Sequence, residues 1–449
     1  MTIEKVQEQP ARRVMPAELR SNFIHLFLDI AWFGVLSGSA VAFISVYLVR
    51  IGGSGFQVGL VSAIPAVVAI LIALPSGWWL NRLRIDDAVF WSSVFFRFFY
   101  LLWVPIPLLF TPADQIWAYL ITVLVMSLPG TVLAVGFNAL FAAAVPPEWR
   151  GQVVGIRNAL LAVTFTLTSL LSGYLLSHLP FPLSYQVVFG LGFVGAAMSS
   201  LHLRRVRISD AAQHRRPRSH RGIGDIARPG AVRSLGDTTP PATGLRYLLE
   251  RQTLRPPGLQ VWRGPFGPVL AALFAFHLTQ YLAIPLFPLF WVERLGLSDQ
   301  TISLGNAVFY VLVFLGSTQL GRLSQRWGHH RLMVAGAVLM SSYPFLTSQM
   351  RSVELFLFTQ VVGGIAWTLA GGALSNYILD HVPDDDRPAH LAWYNMALNA
   401  AILIGSLLGP IAAEHLGLVT ALIGIACLRL GSSLALWRWG NGKRVGENN

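Results

Sequence analysis

The stretch GRLSQRWGHHR, Gly321 to Arg331, is a short basic run set between two long apolar runs. An offset of 244 positions carries Gly321 and Arg326 back onto Gly77 and Arg82 in GWWLNRLR, another basic run between apolar neighbours. The same offset pairs IGGS, Ile51 to Ser54, with LGLS, Leu295 to Ser298, and Val58 with Ile302. A second offset, 237, pairs VPPEWR, Val145 to Arg150, with VPDDDR, Val382 to Arg387, and Asn158 with Asn395. The chain is written twice. A repeat of this length is too long for a solenoid unit and suits two packed bundles.

Composition says what solvent those bundles sit in. Of 449 residues 54% are hydrophobic and only 12% charged, against about a quarter charged in soluble globular chains. Mean hydropathy is +0.56. The spans are therefore membrane spans. The net charge of +12 is concentrated, because residues 204–264 hold thirteen arginines and four acids. A basic segment beside membrane spans reads first as a cytoplasmic loop and only second as a polyanion binder, so no nucleic-acid partner is expected. Cys427 is the one cysteine, which leaves no disulfide framework or cysteine metal site within the chain. The first twenty residues mix Lys5, Arg12, Arg13 and Arg20 with Glu4, Glu8 and Glu18, and no cleaved signal peptide is expected from them.

A spanning helix needs roughly 20 mostly apolar residues. By that measure spans are expected at 22–49, 56–80, 88–110, 115–144, 152–177, 183–203, 266–291, 300–323, 332–349, 353–380, 391–413 and 417–438. None alternates as a barrel strand would. The expected fold is an all-α polytopic membrane protein of about twelve transmembrane helices in two six-helix halves related by the internal repeat. Its parts are a tail at 1–21, a bundle at 22–203, a basic and mostly disordered linker at 204–264, a second bundle at 265–438 and a tail at 439–449. Within the linker, GLRYLLERQTL, Gly244 to Leu254, has leucines at helical spacing for a short surface helix. The loops near 82–84, 146–150, 204–264, 324–331 and 383–388 fall on one side and collect the arginines, while the opposite loops offer Arg50, Arg294 and Arg351. Both termini are expected to be cytoplasmic.

Two six-span halves, a long basic linker, and a glycine-containing basic loop after the second span of each half resemble the major facilitator superfamily of secondary transporters. That family's loop pattern runs approximately G-x-L-x-D-R-x-G-R-R. The second copy supplies Gly321, Leu323, Arg326, Gly328 and Arg331, with Gln325 in place of the acid and histidines at 329 and 330. The first supplies Gly77, Asn81 and Arg82, with Trp79 at the leucine position and Arg84 where the second glycine belongs. The resemblance implies the superfamily's fold, transport of a small-molecule substrate by alternating access, and a cytoplasmic gate at Gly77, Asn81, Arg82, Gly321, Gln325, Arg326 and Arg331. Arg150 and Arg387, in turns like those many members carry between the fourth and fifth spans, join that gate. Asn81 and Gln325 each give up one charge-assisted bond, which weakens the latch.

A charge at the bilayer centre costs about 2.5–3.5 kcal/mol on insertion scales, so it needs a partner or a use. His25 and Asp29, four apart in NFIHLFLDIAWFG, share a helix face in the first span. Proton-coupled members of the superfamily often keep a carboxylate there, which makes Asp29 the candidate proton site, with His25 and Arg97 beside it. The alternative is that Asp29 and Arg97 lock two helices together. In the seventh span His277, Gln280 and Tyr281 share a face before Pro285 and Pro288, prolines that can free backbone groups toward a cavity. With Asn138, Gln360 and Trp367 these residues form the expected substrate cavity. Arg157 and Asn158 divide evenly between snorkelling and ligand contact.

An enzyme would need a nucleophile with a base or several metal ligands. The chain has no HExxH, GxSxG, Cys/His cluster or GxxxxGK[ST] loop, so neither catalysis nor ATP-driven transport is expected, and no cofactor or metal. The expected protein is a monomer in a bacterial inner (plasma) membrane, driven by a proton or another coupling ion. The competing class is a transporter-like membrane sensor or lipid scramblase whose linker binds a partner.

Overall fold

The computed structural model of the chain describes residues 17–80, 83–208, 258–383 and 387–440. The surface helix expected at 244–254, most of the linker and of both tails, and Asn81 and Arg82 of the first basic run lie outside these residues.

Every regular element among the described residues is helical, as hydrocarbon requires when no water is present to hydrogen-bond a free amide. The first span runs through Ala17–Leu36, a π-turn at Ser37–Val41 and Ala42–Arg50. Gly55–Leu80, Ile85–Trp103, Pro112–Ala144, Pro147–His178 and Leu183–Arg204 complete the first half. After a short helix at Gly258–Arg263, the seventh span runs through Phe266–Ala283, a turn at Leu286–Leu289 and a π-turn at Phe290–Arg294. Pro285 and Pro288 interrupt it as the sequence suggests, and an offset of 244 puts this break opposite the π-turn of the first span. The repeat therefore preserves an irregularity as well as a motif.

Asp299–Gln349 is helical over 51 residues except at Gly328, whose φ is 75°. At 1.5 Å per residue an unbroken helix of that length would reach about 76 Å, more than twice the ~30 Å hydrocarbon layer. It is two spans, the eighth and ninth. The basic loop expected at 324–331 shrinks to this one residue, because glycine alone takes a left-handed conformation without steric cost and lets both helices run to the break. Val353–His381, Arg387–Leu416 and Leu418–Trp439 finish the second half. Ten segments pass as spans on length and composition. The break at Gly328 adds one, and Ile85–Trp103, which carries Asp86, Asp87 and Arg97, adds another. The described residues thus form twelve spans, an even number that puts Ala17 and Trp439 on one face.

Small residues set how closely the spans approach. A Cβ on Gly38 of the first span would lie 2.5 Å from the Phe165 carbonyl of the fifth. Between the halves, a Cβ on Gly59 would overlap the Ser406 carbonyl, so the second and eleventh spans touch backbone to backbone.

Gly38→Ala forces those backbones apart and should lower the melting temperature in detergent, by the equivalent of about 1–3 kcal/mol. Gly155→Ala, where a Cβ meets nothing within 4 Å, should leave it unchanged or raise it by up to about 1 kcal/mol. Equal shifts in both variants would show that close approach at Gly38 is not what matters.

Candidate functional site

In the first half, polar side chains from three other spans converge on Asp29, which is 3% exposed. Arg157 of the fifth span donates to Asp29 Oδ2 through both Nη atoms at 3.2 Å, and also to the Leu26 carbonyl. Ser199 of the sixth span donates to Oδ1. Arg97 of the third span stands 3.8 Å from Oδ1 and donates to Ser93 and Ser200 at 2.7 and 3.1 Å. One carboxylate thus faces two guanidiniums, and the Arg97 Nε has no partner. Arg157 also lies over the Phe137 ring, 4.9 Å from its centroid.

Arg97 is therefore the more distant of two cations, and Arg157 is the residue in direct contact. Snorkelling is excluded for Arg157, because its head group turns inward. His25 meets a residue that the sequence reading passes over, His202. Their rings stack at 5.4 Å with the two Nδ1 atoms 3.2 Å apart, one turn from Asp29 and one turn from Ser199. Two Nδ1 atoms at that distance share one hydrogen, so one ring donates and the other accepts.

The second half has no matching acid among its buried described residues. Its counterpart cation is Arg429 of the twelfth span, 3% exposed. Arg429 lies over Phe276 at 5.6 Å and contacts the Met340 sulfur at 3.5 Å. A charge eleven residues into the apolar run from Leu418 is signal enough to notice it in sequence. His277 Nε2 is 3.0 Å from the Tyr394 hydroxyl.

Between the halves lies a cavity of about 700 Å³. The first four spans give it most of its wall, including Phe96, Tyr100, Trp103 and Asn138, and the second half supplies Tyr281, Asn395, Asn399 and Ile402. Of the residues expected to face a cavity, Asn138 and Tyr281 line this one. The other four do not. His277 turns to Tyr394, and Gln280 is buried with its Oε1 unpartnered. Gln360 accepts from Tyr343 at 3.1 Å, and Trp367 lies over Gly371 of its own helix. A shared helix face places His277, Gln280 and Tyr281 on one side of the seventh span, but the cavity reaches only the last of them. Asn395 and Asn399 were legible as a polar pair one turn apart.

Cross-half contacts gather on the loop face away from the termini. Arg50 donates to Asp299 at 3.0 Å through Nη2 and 3.2 Å through Nε, and to the Leu297 carbonyl. Ser303 of the eighth span donates to the Ser169 carbonyl of the fifth, and Phe165 stacks on Tyr310 at 3.8 Å. On the face of the termini the same two spans part. Gly151, Gly155 and Gly321 have nothing within 4 Å of a Cβ position. Gln325, Arg326, Arg331 and Arg387 are exposed, and Gly77 lies within the second span. Arg150 closes the end of the fourth span by donating to the Ala142 and Val145 carbonyls at 2.8 and 3.1 Å. His329 Nδ1 donates to Asp380 at 2.7 Å, tying the Gly328 break to the tenth span.

Residues 25–279 and 269–449 each match the family model described as Major Facilitator Superfamily. The chain belongs to this superfamily. Multidrug resistance protein 1 of Bacillus subtilis (strain 168) is 27% identical over 146 residues, 32% of this chain and 37% of that protein. Quinolone resistance protein NorA of Staphylococcus aureus is 22% identical over 142 residues, 32% and 36% of the two chains. The matched stretch thus spans little more than a third of these relatives. A crystal structure of a D-xylose-proton symporter superposes with a TM-score of 0.68 at 15% identity, covering 96% of this chain and 100% of that one. At that identity the likeness is one of fold. The protein is an integral membrane protein of a transporter superfamily, in the all-helical, two-half arrangement that its repeat announces.

The Arg50–Asp299 pair is partly exposed, so its loss should shift the balance between closed and open loop faces by up to about 1 kcal/mol, a factor of roughly five. In a Cys427→Ser, Ser303→Cys background, Arg50→Gln should raise the rate of maleimide labelling at position 303 severalfold. An unchanged rate would show that the pair does not hold this face shut.

Proposed function

We propose that the chain is a secondary transporter that carries a small solute by alternating access, coupled to protons through Asp29. It works as a monomer in a bacterial inner membrane with both termini in the cytoplasm. The observation that carries this reading is the cavity between the halves, closed on the loop face by Arg50–Asp299, Gly59–Ser406 and Ser169–Ser303 and flanked on the other face by parted spans. That arrangement is the inward-facing end of a rocking cycle. The arginine excess on the face of the termini supports a cytoplasmic assignment for it. In this state the gate residues Arg326 and Arg331 are exposed, as those of a released latch would be.

Asp29 is the only carboxylate among the buried described residues. Protonation would remove its hold on Arg157 and free the fifth span, which packs on both the first and the eighth. A second reading is favoured by the geometry of the cluster itself. Two arginines and Ser199 engage both carboxylate oxygens, as a permanent lock between four spans would. Protonating Asp29 would then leave two cations unbalanced, and breaking a buried pair costs about 3–5 kcal/mol.

The readings separate without a known substrate. In the Ser303→Cys background, labelling should rise as pH falls from about 8 to 5, and Asp29→Asn should abolish that response. His25 and His202 stack one turn from the cluster and are imidazoles that a pH change could also reach, and His202→Gln should keep the response. A pH response that survives Asp29→Asn, with a lowered melting temperature, assigns Asp29 to the lock.

A further inference from the structure

The walls of the cavity differ in chemistry from one half to the other. On the third span Phe96, Tyr100 and Trp103 fall at i, i+4 and i+7 and face the cavity. Phe96 and Tyr100 meet edge-on at 5.8 Å, and Tyr100 and Trp103 at 4.8 Å, so the rings form one continuous surface. Ser45, Ser62 and Asn138 also line this side, while other polar atoms there are spent within the protein. The Trp103 indole donates to Thr122 at 2.8 Å, Ser127 to the Val123 carbonyl, and Thr131 to the Ser127 carbonyl at 2.9 Å. The opposite wall is polar. Tyr281 lines it, and Asn395 and Asn399 stand one turn apart on the eleventh span. Asn399 donates its amide to the Asn395 carbonyl at 2.8 Å, which leaves its own oxygen and the whole Asn395 amide for a guest.

No Asp, Glu, Lys, Arg or His lines the cavity among the described residues. Arg97 is the immediate neighbour of Phe96, yet it points to the other side of its helix, toward Ser93, Ser200 and Asp29. An ion entering this space would shed water without gaining a counter-charge, a penalty of several kcal/mol. An uncharged ring would cover the aromatic wall, and hydroxyl or amide groups on its far edge would satisfy the asparagines.

We infer that the cavity selects an uncharged amphipathic solute, its aromatic or apolar face on Phe96, Tyr100 and Trp103 and its hydrogen-bonding edge on Tyr281, Asn395 and Asn399. This rests on the transport reading above and specifies its cargo. Such a solute bridges the two halves.

Four probes that vary one feature at a time test it, by equilibrium dialysis with purified protein. Phenyl β-D-glucoside carries ring and hydroxyls, methyl β-D-glucoside lacks the ring, and benzoate and phenyltrimethylammonium add opposite charges to a ring. Phenyl β-D-glucoside should bind at least tenfold more tightly than the other three. Asn395→Leu and Phe96→Ala should each weaken it about tenfold while the melting temperature holds. Asn399→Ser, a smaller change on the same wall, should weaken it by less and guards against misfolding of the leucine variant. Equal or tighter binding of either ion, indifference to the ring, no binding by any probe, or binding untouched by the wall variants overturns the inference. Alternating access is judged separately by labelling at position 303, which needs no ligand, so failure here leaves that reading standing.

Discussion

One carboxylate orders the first half of this protein. Asp29 draws Arg157 from the fifth span, Arg97 from the third and Ser199 from the sixth onto the first. In hydrocarbon neither a carboxylate nor a guanidinium is tolerable alone, so each span is held in the rotation that brings its polar side chain to this point. The rotation of the third span has a second consequence. With Arg97 and Ser93 committed inward, the face carrying Phe96, Tyr100 and Trp103 is left to line the cavity. The charge cluster and the aromatic wall are two sides of one helix.

The second half solves the same problem differently. Its buried cation, Arg429, meets a ring and a sulfur in place of an acid, and its bundle is held by close approach at glycines such as Gly336, Gly405 and Gly409. The first half has close approaches of the same kind, at Gly38 and Gly195, in addition to its charge cluster. The cross-half contacts at Gly59 and Ser303 are of the close-packed kind, with Arg50–Asp299 the ionic exception. Packed small residues let helices rock without leaving voids or buried charges behind.

Family membership and cargo rest on different residues. The basic runs around Gly77 and Gly321 carry the resemblance to the superfamily, and no described residue of the Gly321–Arg331 run lines the cavity. Asn395 and Asn399, which meet the solute in our reading, belong to no repeat-wide pattern apart from the pairing of Asn395 with Asn158. A chain of this kind is therefore recognised from its loops and specified from its spans.

The sequence by itself determined the solvent, the helical class, the twofold repeat and the positions of the spans. These follow from local facts, namely apolar run length, the spacing of glycines and prolines, and the side on which arginines fall. It also picked out Asp29 as a charge needing a partner, and Pro285 and Pro288 as a break. It did not determine which arginine reached Asp29, because Arg97 and Arg157 are 68 and 128 residues away and only the packed rotation of three helices ranks them. Nor did it decide which polar faces meet the cavity. His277 and Tyr281 share a helix face, and Tyr394 captures the first while leaving the second open. Periodicity gives a side chain's direction relative to its own helix axis, whereas burial and partnership depend on how that helix is turned among its neighbours.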